Sequence, residues 1–321
     1  KLIFNILLIN NKKPVCKKIT ATYQLNNGVL GGPLETEFSY QTEDSTELNI
    51  NIEQIGVRKI EITSVKDVST AELFSLCQSI EKLLMLFEGR FVPLKSMCFS
   101  DSDKFTDADL IEAGTWYKDR RLSCYESSDF SMYNHNKIIY YNKVINEKLL
   151  KDWIELDKEL DLASNVIFYG LSKNFATFDI KCIFLIELAE AFIDLIKERK
   201  GLFSSLKPGA RGTTLKMCLD MLITKYGSLV FEEEIQSKKD YLQIFVKSRN
   251  RIMHIKRHQG KDYLDRLESI LYTMKFFNLY RIIIFETLGI DEGFYLDNLK
   301  LSIAKWNEWE EVLEKFLNRI D

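Results

Sequence analysis

The stretch Lys247-Ser-Arg-Asn-Arg-Ile-Met-His-Ile-Lys-Arg-His-Gln-Gly-Lys261 holds six Lys or Arg, no carboxylate and two of the chain's three histidines. A charge run on a helix is usually a solvated face. The spacing here argues for more. Asn250 and His254 are four apart, so on a helix their side chains are neighbours. Arg249 stands five before His254, about 140° round the helix at ~100° per residue, yet its long guanidinium can reach a shared cleft. With 12 Arg, 18 Asn and 3 His in 321 residues, Arg-Asn-x-x-x-His is expected only ~0.006 times by chance.

These residue types fit one reaction that needs no metal. RNA carries its own nucleophile, the 2′-OH beside the scissile phosphate. Its cleavage requires a proton taken from that hydroxyl, a proton given to the leaving oxygen and stabilisation of a phosphorane. Histidine titrates near neutrality and can move protons. Arginine stays charged and offers a donor fork to phosphate oxygens. Asn can orient the imidazole or donate to phosphate. Arg249, Asn250 and His254 are therefore the expected catalytic set. Lys247, Arg251, Lys256, Arg257, His258 and Lys261 are expected to hold neighbouring phosphates, although His258 also suits a helix-end cation. One well-placed histidine per chain is too few for a separate base and acid. A two-fold homodimer that juxtaposes two copies would supply the second.

The elements that must position this set divide the chain in two. Val15–Leu25, Leu34–Thr42, Thr46–Ile55 and Val57–Val65 are rich in β-branched and aromatic residues, and several alternate, as in Leu48, Ile50 and Ile52. Leu73, Leu76, Cys77, Ile80, Leu83, Leu84 and Phe87 then recur at helical spacing after a Ser69-Thr70-Ala71-Glu72 start, with Gly89 as the stop. Segments 90–99, 114–125 and 137–142 return to strand character. From 146 the pattern is helical, over 146–162, 178–200, 215–226, 240–258 and 261–288, with a short amphipathic helix around Leu313 and Phe316. The expected fold class is α+β, with a β-rich domain carrying one long helix over 1–143 and an all-α bundle over 144–321.

Composition removes several classes. Four Pro and 14 Gly exclude collagen-like and largely disordered chains, and a net charge of −3 excludes a polycation. The six cysteines are scattered with no CxxC pair, so a Cys/His zinc site is not expected, nor is a cofactor. They suit buried thiols in a reducing, cytoplasmic compartment. No run reaches ~18 apolar residues, so no membrane span is expected. Gly28, Gly31 and Gly32 lack the GK[ST] of a phosphate loop. Lys207 and Arg211 read as surface loop residues and His135 as a turn residue; Trp153, Trp306 and Trp309 read as packing anchors.

Arg249-Asn250-Arg251-Ile252-Met253-His254 resembles the R-x4–6-H motif of HEPN-domain ribonucleases in its Arg-Asn form. The surroundings resemble the ApeA-like HEPN proteins of bacterial anti-phage defence. The matching stretches are Leu150-Lys-Asp-Trp153, Phe184-Leu-Ile-Glu-Leu-Ala-Glu190-Ala-Phe192 and Leu288-Gly289-Ile290, and, more loosely, Ile80-Glu-Lys-Leu-Leu-Met-Leu-Phe-Glu-Gly-Arg-Phe-Val-Pro93. The resemblance implies a helical HEPN bundle, a dimeric composite site, metal-independent cleavage of single-stranded or tRNA-like RNA, and a role in abortive infection. It also implies a supporting helix acid for Arg249. Glu190 is the better candidate and Glu187 the more solvated one. The alternative is a non-catalytic HEPN-type module that binds RNA or dimerises a partner assembly. A third expectation is a nuclease held off until a phage product docks on residues 1–143.

Overall fold

A computed structural model describes residues 14–24, 34–55, 57–89, 92–120, 137–171, 177–204, 214–254, 262–304 and 309–320. The fold is α+β. Among the described residues, one compact unit ends at Lys158 and a second begins at Glu159.

Five strands build the first unit: β1 (Val15–Gln24), β2 (Leu34–Gln41), β3 (Glu47–Ile55), β4 (Val57–Ser69) and β5 (Leu94–Ser100). They form an antiparallel sheet in the order β2-β3-β4-β1-β5. Alternation sets its register. Phe38, Ile50, Ile62, Ile19 and Phe99 align across all five strands, and each is at most 3% exposed. A one-residue slip of any strand would send its share of this row to the polar face. The long helix α1 (Thr70–Glu88) lies against β1 and β4. Its Ser69 makes no side-chain cap; Thr70 bonds the Pro14 carbonyl instead through Oγ1 at 3.2 Å. Gly89 ends the helix at φ 65°, a conformation that costs glycine little.

The strand expected over 114–125 is not there. Helix α2 (Asp107–Arg120) occupies 107–120, and 121–125 lie outside the described residues. A reciprocal cap starts α2: Thr106 N donates to the Asp109 carboxylate at 3.0 Å, and Asp109 N to Thr106 Oγ1 at 3.3 Å. Its aromatic residues suggested a strand but serve a helix face, where Tyr117 packs on Phe74 and Phe99 with centroids 4.6 and 5.6 Å apart. Nor is 137–142 a strand: residues 137–140 are irregular and Tyr141–Lys143 is a 3-10 turn.

Helix α3 (Glu147–Leu160) belongs through Lys158 to the sheet unit, so the contact division falls well beyond residue 143. Trp153 is fully buried and its Nε1 donates to the Ser79 carbonyl at 2.6 Å, while Lys82 pairs with Asp157 at 3.0 Å. The expected packing role of Trp153 is thus met; Trp306 lies outside the described residues and Trp309 is half-buried. Cys16, Cys77, Cys182 and Cys218 are buried as expected, but Cys98 is exposed, because it alternates onto the polar face of β5.

The second unit is helical: α4 (Leu162–Leu171), α5 (Phe178–Lys200), α6 (Leu215–Tyr226), α7 (Glu232–Ser237), α8 (Tyr241–Met253), α9 (Arg266–Thr287), α10 (Leu296–Ala304) and α11 (Glu310–Asn318). Helix α5 is its hub and meets α4, α6, α8 and α9. Helix α9 is buried nearly all round, and Tyr280 on it stacks on Phe192 of α5 at 4.4 Å and donates to the Leu185 carbonyl at 2.6 Å. Its buried Lys275 is neutralised by Glu234 of α7 at 2.8 Å. No helix among the described residues is long and apolar enough to cross a membrane.

Candidate active site

The Arg-Asn-x-x-x-His segment closes helix α8. Asp240 caps the N-terminus, accepting from Gln243 N at 3.3 Å. Tyr241, Leu242, Ile244, Phe245 and Ser248 face inward, and Phe245 meets Tyr272, Phe276 and Phe316 at centroid distances of 4.7, 5.3 and 6.3 Å. That buried face fixes the rotation of α8 and turns Arg249 and Asn250 toward its flank.

Arg249 meets α5 there. Its Nε donates to Glu187 Oε2 at 2.6 Å and its Nη2 to Glu187 Oε1 at 2.7 Å, a two-pronged match of fork to carboxylate. Its Nη1 donates to Asn250 Oδ1 at 2.9 Å. The Glu187 hydrogen bonds raise the guanidinium's pKa above its ordinary value, so the charge is permanent. The pair is only part-buried, at 25% and 34% exposure, and guanidinium N–H groups remain beyond those already used. With Asn250 Oδ1 engaged, its amide N–H₂ is left as the donor.

His254 is the helix C-cap, at φ −103° and ψ 6°, with its N–H bonded to the Asn250 carbonyl at 3.2 Å. Its side chain is exposed. Arg249, Asn250 and His254 are thus joined through Asn250: by a side-chain bond on one side and a backbone bond on the other.

The remaining expected residues divide. Lys247 is tied to Asp262 at 2.8 Å, and the Arg251 guanidinium lies over the Tyr263 ring, 5.2 Å from its centroid. Lys256, Arg257, His258 and Lys261 lie outside the described residues, as do Lys207, Arg211 and His135. The acid that holds Arg249 is Glu187, the one expected to be the more solvated, rather than Glu190. Glu190 sits one turn along α5; burial raises its carboxyl pKa above the ordinary value, Glu187's charge adds to this, and Arg249 opposes it. Spacing on α5 offers both acids equally, and only the packing of α8 on α5 selects between them. No group of three or more His, Cys, Asp or Glu among the described residues could hold a metal ion.

Residues 186–294 match the family model described as Apea-like HEPN. No curated protein and no solved structure matches the chain. The matched span runs from the residue before Glu187 past the end of α9, and so contains the whole constellation.

Proposed function

We propose that this Apea-like HEPN segment is a metal-independent endoribonuclease of anti-phage defence, cutting RNA through its own 2′-OH. The HEPN match supports a nuclease or RNA-binding defence role. The observation that carries the finer reading is the joined Arg249–Asn250–His254 turn, with Arg249 aimed by Glu187 and His254 exposed.

His254 takes the proton from the 2′-OH as its O–P bond forms, and an imidazolium returns a proton to the 5′-oxygen as the P–O bond breaks. The two proton roles need two imidazoles, which a homodimer with paired α8 helices provides. The remaining Arg249 N–H groups and the Asn250 amide donate to the phosphorane oxygens, which carry more charge in the transition state than in the substrate. The sheet unit serves as the sensor on which a phage-derived trigger acts.

The test is incubation of the full chain with single-stranded RNA in EDTA. Cleavage by wild type, abolished by His254→Ala and by 2′-deoxy substitution at the cut site, is the expected result. Equal cutting by wild type and His254→Ala removes the reading. Purified chain without activity is retested with lysate of infected cells, and continued inertness there removes it too.

One observation favours a second reading, a non-catalytic RNA-binding or dimerisation module: Glu187 already neutralises Arg249. On that reading His254→Ala leaves RNA binding and defence intact.

A further inference from the structure

Helix α8 ends at Met253, and Asp262–Leu264 lie against it, every residue fastened. Asp262 accepts from Lys247 Nζ at 2.8 Å. Leu264 N donates to Ser248 Oγ at 2.8 Å, and Ser248 is 4% exposed. The Tyr263 carbonyl accepts from Arg319 Nη2, beyond the end of α11, at 2.9 Å. Arg319 is in turn gripped by Glu268, the capping-box acid of α9. Helix α8 and the residue after α11 therefore both tie down these three residues beside the motif, and α9 holds that residue in turn.

The Arg251 guanidinium lies over the Tyr263 ring at 5.2 Å, and both residues remain partly exposed. Arg251 precedes His254 by three residues, so the two are neighbours at the end of α8. A planar cation over an aromatic ring is a stacking surface, and every nucleobase has a π-face to offer it. On this flank Lys247 pairs with Asp262, and Arg251 is the cation set beside an aromatic ring.

We infer that Arg251 and Tyr263 form a nucleobase subsite, on which one unpaired base of the RNA stacks while its phosphate lies against Arg249 and His254. The inference rests on the ribonuclease reading for its place and deepens it by assigning the residues that meet an unpaired base. A base within a duplex is stacked on both sides and cannot reach the platform. Stacking without base-edge hydrogen bonds tolerates all four bases.

The test uses the full chain and a short single-stranded RNA, 2′-fluoro-substituted so that it is not cut, with and without abasic nucleotides. Affinity is read by fluorescence anisotropy. Wild type should bind the base-bearing strand about tenfold tighter than the abasic one. Tyr263→Phe should keep that ratio. Tyr263→Ala should bring it near one, and so should Arg251→Lys, which keeps the charge but loses the plane. A ratio near one in wild type, or a ratio that survives both Tyr263→Ala and Arg251→Lys, overturns the subsite. Failure to bind either strand overturns both the subsite and the nuclease reading. Base-dependent binding without cleavage of an all-ribose strand, both alone and with lysate of infected cells, removes the nuclease reading alone.

Discussion

Glu187 and Arg249 form a pair that is about a third exposed at most, and such pairs add little to stability. What the fork does contribute is direction: it fixes the plane of a guanidinium that, in the proposed cleavage, meets a phosphorane. Glu187→Ala should therefore lower kcat about tenfold with little change in KM, the pattern of an interaction made in the transition state. Adding Glu187→Ala to Arg249→Ala should cost almost nothing further, since both act through one group. Full additivity in steady-state kinetics of the four variants would refute this coupling. Glu190 makes a separate prediction. Its pKa is raised above 4.5, by burial first and by Glu187's charge second. The folded chain thus holds this proton more tightly than the unfolded one. The group favours folding below the ordinary carboxylate value, and that benefit is lost as pH rises through the folded value. Glu190→Gln should raise Tm at about pH 7 and lose its advantage toward about pH 4. Thermal unfolding at the two pH values checks this, and an equal gain at both would show that the carboxyl's charge is not the cause.

Helix α2 shows how closely an element can be held by one small residue. A Cβ on Gly114 would stand 2.6 Å from the Met97 carbonyl oxygen of β5, against backbone that cannot move aside. Gly114→Ala gains helix propensity, yet forcing α2 off the sheet should dominate, destabilising the chain by ~1–3 kcal/mol. Urea unfolding followed by circular dichroism reads the sign, and a stabilised variant would show that α2 is not seated on β5. The same helix marks the limit of reading elements from pattern. β1 to β4 were legible because alternation has a period of two and one buried face enforces it. α5 was legible from its apolar stripe and end signals, whereas α8, expected over 240–258, ends at Met253 with His254 as its C-cap. α2 was not legible, since Trp116 and Tyr117 suit strand and helix alike and the Thr106–Asp109 cap lies upstream of them. The allegiance of α3 was hidden for another reason: periodicity shows that Trp153 is buried but not which element covers it. So too at the site. The Arg249–Asn250–His254 spacing was visible and Glu187 was one of two acids offered, whereas the choice of Glu187 over Glu190 and the place of Tyr263 come only from tertiary contacts.

For the whole molecule, the decisive quantity is the number of imidazoles in one reaction. Transfer of two protons in the proposed cleavage requires a base and an acid, and among the described residues each chain presents one histidine, His254, at the motif. If a two-fold axis joins two such turns, the working unit is the dimer and activity belongs to pairs of intact chains. Co-expressing wild type with an equal amount of His254→Ala then gives about a quarter wild-type pairs, half mixed pairs and a quarter variant pairs. When both imidazoles act in one site, mixed pairs are silent and total activity falls to about a quarter of that of wild type alone. When each chain cuts independently, it falls only to about a half. Light scattering fixes the mass of the species assayed, and single-turnover cleavage of labelled RNA separates the two values. A monomer that cuts at full rate, or a mixture that retains half the activity, would place both proton transfers within one chain and require another group there to act as the second acid or base.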